Sequence, residues 1–266
     1  MKDGCLYKNA IVRLPGRNFA DGITVASLGV PEYGRALEQH ARYCQALQEC
    51  GLSITALVAD LRYPDSTFVE DVAVLTLRGA ILTRPGARSR EGEVSAIRQT
   101  IESFFPITQE IHAPGTLDGG DVCEDEGHFF IGLSKRTNEE GARQLAGHLT
   151  TQGYTSSTVD IRGLDKRAMT GILHLKSGIC YIGDHTFVAI DEFAGNQAFD
   201  GCEIIRVSAK ESHAANCVRV NDRVLVAAGN PRLTAELVEH GFNPLVLDIS
   251  EFQKMDGGLS CLSLRF

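Results

Sequence analysis

Short apolar runs meet at tight polar turns along this chain, and the pattern repeats. Val72-Ala73-Val74-Leu75-Thr76-Leu77 reaches Arg78-Gly79 and returns as Ala80-Ile81-Leu82-Thr83 into Arg84-Pro85, the pattern of a β-hairpin. It recurs as Asp121-Val122-Cys123, through Asp125-Glu126-Gly127, into Phe129-Phe130-Ile131-Gly132. A third copy runs from Gly178-Ile179-Cys180-Tyr181-Ile182 through Gly183-Asp184 into Thr186-Phe187-Val188-Ala189-Ile190, and a fourth from Cys217-Val218-Arg219-Val220 through Asn221-Asp222 into Val224-Leu225-Val226-Ala227. The copies are roughly 40 to 55 residues apart, the range of radial or solenoid repeats.

Between the hairpins the apolar period changes to that of a helix. Pro31 to Cys50 places Leu37, Ala41, Cys44 and Leu47 near helical spacing and stops at Gly51; Glu91 to Phe105, Asn138 to Thr150 and Pro231 to His240 behave alike. Short β-prone stretches such as Leu245-Val246-Leu247-Asp248 follow. A fifth unit requires the chain ends to pair, Asn9-Ala10-Ile11-Val12-Arg13 with Ser260-Cys261-Leu262-Ser263-Leu264-Arg265-Phe266. Five hairpin-plus-helix units predict an α/β fold, a five-bladed pseudosymmetric α/β propeller, over one domain spanning 1–266. An open α/β sheet is the competing architecture.

Composition narrows the function. The 266 residues carry 34 acidic and 26 basic side chains, net charge −8, with 43% hydrophobic residues and no tryptophan. That apolar content supports a folded core and argues against disorder. The acidic balance and the lack of a basic run argue against a nucleic-acid partner. No apolar stretch approaches the ~20 residues of a membrane helix, and Met1-Lys2-Asp3-Gly4 does not open a signal peptide, so a soluble cytoplasmic protein with no membrane partner is expected. Cysteines at 5, 44, 50, 123, 180, 202, 217 and 261 include no C-x-x-C pair, and their spacing matches neither a disulfide scaffold nor a zinc site. Most should be buried packing thiols.

Polar residues gather where the hairpins begin. Asp65-Ser66-Thr67-Phe68-Val69-Glu70-Asp71 precedes the first, Leu117-Asp118-Gly119-Gly120-Asp121 the second, Leu173-His174-Leu175-Lys176-Ser177 the third, and Asp256-Gly257-Gly258-Leu259-Ser260-Cys261 the fifth. Taken alone, Cys261 reads as a packing thiol in an apolar C-terminal strand, His174 as a core imidazole, and Asp118-Gly119-Gly120-Asp121 as a turn. Glu70-Asp71 between Val69 and Val72 is costly unless a cation or hydrogen-bond donors meet the carboxylates. With pseudosymmetric repeats these positions converge on one pocket. A thiol nucleophile, a histidine and surplus acids then suit a planar cation such as a guanidinium. Arg84 and Arg136 follow the first two hairpins at equivalent places and could hold a carboxylate in a fork, so a small-molecule guanidino amino acid is the expected ligand.

Phe68-Val69-Glu70-Asp71, Leu117-Asp118-Gly119-Gly120-Asp121, Gly132-Leu133-Ser134-Lys135-Arg136-Thr137-Asn138, Leu173-His174-Leu175-Lys176-Ser177, Ala214-Ala215-Asn216-Cys217 and Gly257-Gly258-Leu259-Ser260-Cys261 together resemble the dimethylarginine dimethylaminohydrolases of the pentein, or amidinotransferase-like, superfamily. The motifs run in the family's order over nearly the whole chain. The resemblance implies a five-bladed α/β propeller and hydrolysis of Nω-methylated arginines to citrulline plus a methylamine, with no cofactor and no metal. It makes Cys261 the nucleophile, His174 the general acid and base, and Asp118 the acid beside the histidine, where some relatives carry Glu. Glu70 and Asp71 would face the guanidinium, Asp65 would help hold the α-amine, Arg84 and Arg136 would bind the carboxylate, and main-chain groups of Phe19 and Met255 would complete the amino-acid end. A homodimer is compatible with this reading. Arginine deiminase and amidinotransferase share the chemistry, although both are usually longer; a catalytically dead binding member would have lost the Cys, His or acids, which are all present here.

Overall fold

Every hairpin read from the sequence forms in the computed structural model, which describes residues 7–164 and 172–266. The elements follow the order β1 (Asn9–Arg13), α1 (Tyr33–Glu49), β2 (Ser53–Leu57), β3 (Ala73–Thr76), β4 (Gly79–Leu82), α2 (Glu93–Phe104), β5 (Thr108–Glu110), β6 (Val122–Asp125), β7 (His128–Leu133), α3 (Glu139–Thr151) and β8 (Thr155–Asp160). They continue with β9 (Ile179–Gly183), β10 (Thr186–Ile190), β11 (Glu203–Val207), β12 (Val218–Val220), β13 (Arg223–Ala227), α4 (Pro231–Glu239), β14 (Pro244–Leu247), α5 (Ser250–Gln253) and β15 (Leu264–Arg265).

The strands build five three-stranded sheets of one design, bearing out the expected α/β fold of five repeated units. In each, a middle strand pairs antiparallel with one neighbour and parallel with a third strand: β15-β1-β2, β3-β4-β5, β6-β7-β8, β9-β10-β11 and β12-β13-β14. A parallel return needs a crossover, and α1 to α4 supply it in four of the units. In the β9-β10-β11 unit the described crossover holds only a short 3-10 turn, Gln197–Phe199. There Phe199 packs its ring on Phe130 at 4.7 Å and Phe187 at 5.4 Å, so aromatic burial does the work of a helix face.

The chain folds as two compact units, Met1–Val69 with Asn216–Phe266, and Glu70–Ala215. The first contains the sheets built on β1 and β13; its core includes Tyr43, Leu47, Phe19, Phe68, Phe252 and Leu262. The second contains the other three sheets, with Ile81, Phe129, Ile131, Leu145 and Leu149 in one core cluster.

Two expectations shift. Helix α1 buries Ala36, Gln39, His40, Tyr43, Ala46 and Leu47, while Ala41 is exposed and Leu37 and Cys44 are half-buried. The face is turned because Gln39 is satisfied inside, donating to Ser250 Oγ at 2.9 Å and accepting from the Glu251 N–H at 2.9 Å. Cys261 is not in a strand: the pairing with β1 covers only Leu264–Arg265, and Ser260–Leu262 forms a 3-10 turn. That turn follows Asp256, whose φ of 57° is left-handed, and the Gly257-Gly258 pair.

Candidate active site

The Glu70–Ala215 unit gathers an imidazole and three carboxylates by local chain geometry. Asp118 ends the extended approach to the second hairpin, and the two glycines after it have no room for side chains. A Cβ on Gly119 would lie 2.1 Å from the Glu70 carbonyl, and one on Gly120 would lie 2.8 Å from Asp71 Oδ1 and 2.9 Å from His174 Cγ. This absence of side chains lets Asp71, Asp118 and His174 approach across the Asp-Gly-Gly-Asp turn.

His174 is buried and extended at the start of the 3-10 turn Leu175–Ser177, where its N–H donates to Ser177 Oγ at 3.2 Å. Its Nε2 lies 3.0 Å from Asp118 Oδ2 and 3.9 Å from Asp71 Oδ1. Burial alone would lower its pKa, but the charge of Asp71, the Asp118 hydrogen bond and Asp121 outweigh that and raise it to about 9. The surrounding carboxylates therefore favour the charged form of the ring. Asp118, fully buried, also accepts from the Gly86 N–H at 2.8 Å through Oδ1.

Asp71 and Glu70 meet cations supplied by the protein, as the cost of burying adjacent carboxylates requires. Asp71 Oδ2 accepts from Arg90 Nη1 at 2.5 Å, and its Oδ1 from the Gly120 N–H at 2.9 Å. Burial pushes the Asp71 carboxyl up, but His174 and Arg90 prevail and hold it well below its ordinary value. Arg90 is itself buried and grips Glu93 with Nε and Nη2 at 3.0 and 2.8 Å. Glu70 pairs with Lys176 Nζ at 2.6 Å. Asp71, Asp118 and His174 each place one donor atom within 4.8 Å of the others, a spacing a metal ion could use. The imidazolium already supplies the positive charge there, while the carboxylates' second oxygens are engaged by Arg90 and Gly86.

Asp121 escaped the sequence reading as a site residue. It accepts from the Leu175 N–H at 2.9 Å, Ser134 Oγ at 2.6 Å and Thr137 Oγ1 at 2.7 Å, tying the histidine turn to the Ser134-Lys135-Arg136-Thr137 turn. Burial dominates its titration and raises it to about 6 against the pull of His174 and these donors. Its signal was the second Asp of Asp-Gly-Gly-Asp. Arg84 and Arg136 stand on adjoining segments, because Gly86 packs on the Arg136 main chain where a Cβ would lie 2.2 Å from the carbonyl oxygen. Arg84 is about one-third exposed and donates to Glu91 Oε1 at 2.9 Å and the Gly115 carbonyl at 3.2 Å; Arg136 is half-buried.

The other unit holds Cys261, half-buried in its 3-10 turn. The Gly258 N–H donates to Sγ at 3.5 Å, and Asn216 Nδ2 lies 3.9 Å from it. Both donors stabilise negative charge on sulfur. Asn216 also accepts from the Ser260 N–H at 3.0 Å, and Gly258 leaves the space it occupies, since a Cβ there would lie 2.2 Å from Asn216 Cγ. Tyr43 Oη donates to the Leu259 carbonyl at 2.8 Å and contacts Ser263 Oγ at 2.7 Å, bracing the turn on both sides. Asn216 had no role assigned from its Ala-Ala-Asn-Cys motif; only the fold brings it to the thiol.

Phe19, Asp65 and Met255 meet in the same unit. Phe19 is buried against Phe68 and Phe252, at 5.9 and 5.3 Å between ring centres, and anchors a 3-10 turn. Buried Asp65 accepts from the Ile23 N–H at 3.1 Å. A Cβ on Gly22 would meet Asp65 Oδ1 at 2.4 Å and Met255 Cε at 3.1 Å, so these side chains flank Gly22. The remaining described cysteines form no disulfide, and Cys50, Cys123, Cys180 and Cys217 are buried, as expected of packing thiols; Cys5 lies outside the described residues.

Comparison with known proteins places this arrangement. Residues 32–262 match the family model for N,N dimethylarginine dimethylhydrolase, eukaryotic. The N(G),N(G)-dimethylarginine dimethylaminohydrolase of Pseudomonas aeruginosa is 45% identical over 262 residues, covering 98% of this chain and 100% of that protein. A solved structure of the P. aeruginosa enzyme, a cysteine-to-serine mutant complexed with citrulline, superposes with TM-score 0.93 at 44% identity over 98% of this chain and 100% of the other. A histidine-to-glycine dimethylarginine dimethylaminohydrolase, as an adduct with S-methyl-L-thiocitrulline, matches with the same TM-score of 0.93, 44% identity and coverage of 98% and 100%.

Proposed function

The chain belongs to the dimethylarginine dimethylaminohydrolase family, and from that premise we propose that it hydrolyses asymmetric dimethylarginine and monomethylarginine to citrulline, releasing dimethylamine or methylamine. The observation that carries the reading is full-length similarity to an enzyme solved with citrulline, in a chain that retains the thiol, the imidazole and its acids. The cysteine and the histidine mutated in the two solved relatives are separated by as many residues as His174 and Cys261 are here.

In the proposed mechanism the Cys261 thiolate attacks the guanidinium carbon. The bond to the methylated nitrogen breaks, and that nitrogen leaves as an amine after taking a proton from His174. Asp118 lies on Nε2 and orients the ring for this transfer. A covalent S-alkylthiouronium remains on Cys261. Neutral His174 then takes a proton from water, whose oxygen attacks the same carbon; the hydroxyl gives up its remaining proton to solvent as the C–S bond breaks, releasing citrulline and the thiolate. An imidazolium raised to about 9 enters as the acid the first half-reaction needs. Glu70, Asp71 and Asp118 keep the surroundings acidic, so the guanidinium binds charged and electrophilic. Substrate charge together with the Gly258 and Asn216 donors favours the thiolate. Asp65 with main-chain groups of Phe19 and Met255 takes the α-amine end, and Arg84 and Arg136 take the carboxylate. The protein works as one guanidino-group-modifying domain in the cytoplasm, on a small amino acid and without a cofactor.

Comparing kcat/KM for four amino acids tests this. Mono- and asymmetric dimethylarginine should exceed arginine at least ~10-fold, the low end of what methyl-sized discrimination supplies, with symmetric dimethylarginine disfavoured. Arginine ranked first would convert the assignment to a deiminase.

A further inference from the structure

Within the Glu70–Ala215 unit, Asp121 stands between the turn that carries His174 and the turn that carries Arg136. It closes the 3-10 turn Gly119–Asp121 ahead of β6 and is fully buried. A Cβ on Gly132, near the end of β7, would lie 3.1 Å from Asp121 Oδ1 and 2.9 Å from Leu175 Cβ, so the missing side chain lets the histidine turn close on the carboxylate. Oδ1 then accepts at 2.9 Å from the Leu175 N–H, the peptide that follows His174. Oδ2 accepts from Ser134 Oγ at 2.6 Å and Thr137 Oγ1 at 2.7 Å. Both hydroxyls are themselves anchors. Ser134 Oγ accepts from the N–H groups of Arg136 at 2.9 Å and Thr137 at 3.0 Å, which organises the Arg136 turn, and Thr137 Oγ1 accepts from the Asp118 N–H at 3.1 Å.

This arrangement needs a carboxylate. Donors from the two turns meet different oxygens of Asp121, and an ionised carboxylate accepts on both. An amide of the same shape serves one turn and fails the other. With its NH2 toward Ser134 and Thr137 it meets oxygens that already accept backbone N–H groups; with its NH2 toward Leu175 it meets another N–H. Buried groups left unpaired in this way are costly, so one turn would shift away from the other. We infer that Asp121 is a positioning residue that sets the span of the substrate pocket, holding the Arg136 turn and the His174 turn at the separation an arginine-length amino acid requires. The inference rests on the function proposed above, in which Arg136 takes the carboxylate and His174 protonates the leaving nitrogen. A substrate gripped at both ends reacts only when its length brings the reacting atoms within roughly 3 to 3.5 Å of the groups that act on them. A fixed span penalises one extra methylene between the ends, and a loosened span adapts to it.

The test follows methylamine release from Nω-methylarginine and from Nω-methylhomoarginine, which is one methylene longer, and compares the two kcat/KM values. Each variant is assayed at its own pH optimum, which removes any change in the His174 proton from the comparison. The full-length wild-type chain should prefer methylarginine at least ~10-fold. Asp121→Asn should cut that ratio at least ~3-fold, losing part of the methylene-sized discrimination. Ser134→Ala, which keeps the Asp121 carboxylate and its bond to Leu175, should lower the ratio as well, and it carries the test if Asp121→Asn does not fold. Thr137→Ser retains the hydroxyl and should retain the wild-type ratio. A purely structural role for Asp121 would slow both substrates alike. A ratio unchanged in folded Asp121→Asn or in Ser134→Ala would overturn the inference and leave the hydrolysis of methylarginine standing; a wild-type chain that does not release methylamine from methylarginine would overturn the proposed function itself.

Discussion

Replacing Asp118 by Asn tests what sets the proton on His174. The amide can keep the Gly86 N–H on its oxygen, at the position of the present 2.8 Å bond, and turn its NH2 toward His174 Nε2. That exchanges a carboxylate acceptor for a donor, which only the neutral ring can accept. The lost charge-assisted bond, between groups shielded from solvent, is worth about 1.5 to 3 kcal/mol. At 1.36 kcal/mol per pKa unit, this lowers the imidazolium by roughly 1 to 2 units. From about 9 the histidine would fall to roughly 7 to 8, because burial opposes the charged ring once Asp118 stops supporting it. At pH 8 the protonated fraction would drop from roughly 90% to between about 10 and 50%. The assay is citrulline release from asymmetric dimethylarginine across pH 6 to 10, following kcat and kcat/KM. The alkaline limb should move toward acid by roughly 1 to 2 units, and Asp118→Glu, which restores the charge, should return it. A limb that stays in place in Asp118→Asn while activity falls would show that Asp118 does not set the His174 proton, refuting the account of the leaving-group step.

The other predictions concern the thiol and the far end of the substrate. Cys261→Ser should still bind substrate but lose turnover to the limit of detection, and mass spectrometry of trapped wild-type enzyme should place the adduct on Cys261; retained activity in Cys261→Ala would rule out the covalent route. Asn216→Ala leaves the buried Ser260 N–H without its acceptor, at a cost of about 1 to 3 kcal/mol, and removes a donor from Sγ. Its kcat should fall more than its KM rises, and iodoacetamide should alkylate Cys261 more slowly at a given pH; an unchanged alkylation rate would mean Asn216 serves only the turn. Arg84→Ala or Arg136→Ala should weaken methylarginine use by at least ~1.5 kcal/mol in kcat/KM, and agmatine, which lacks the carboxylate, should be a very poor substrate. Equal use of agmatine and the amino acid would remove both arginines from the site.

The sequence by itself determined the hairpins, the helices and their repetition, because these are local. A β-branched run closed by Arg78-Gly79 or Asn221-Asp222 specifies its turn within a few residues, and α2 to α4 start and stop close to where the periodicity places them. The same locality marked Asp118-Gly119-Gly120-Asp121 and Gly257-Gly258 as unusual. Tertiary structure decided what depends on distant partners. The outer strands β5 (Thr108–Glu110) and β8 (Thr155–Asp160) are polar and partly exposed, so their sequences carry little strand signal; β4 and β7 define them by parallel pairing. The turned face of α1 rests on Gln39 finding partners more than 200 residues away, and Cys261 becomes a turn residue because Asn216 and Tyr43 hold that turn. The adjacent carboxylates Glu70-Asp71 signalled that a cation or donors must meet them, and the fold placed Arg90 and Gly120 on the oxygens of Asp71. Burial and long-range hydrogen bonds set the charge states of Asp71, Asp121 and His174, and neither can be counted along a chain whose contributing residues are up to about a hundred positions apart.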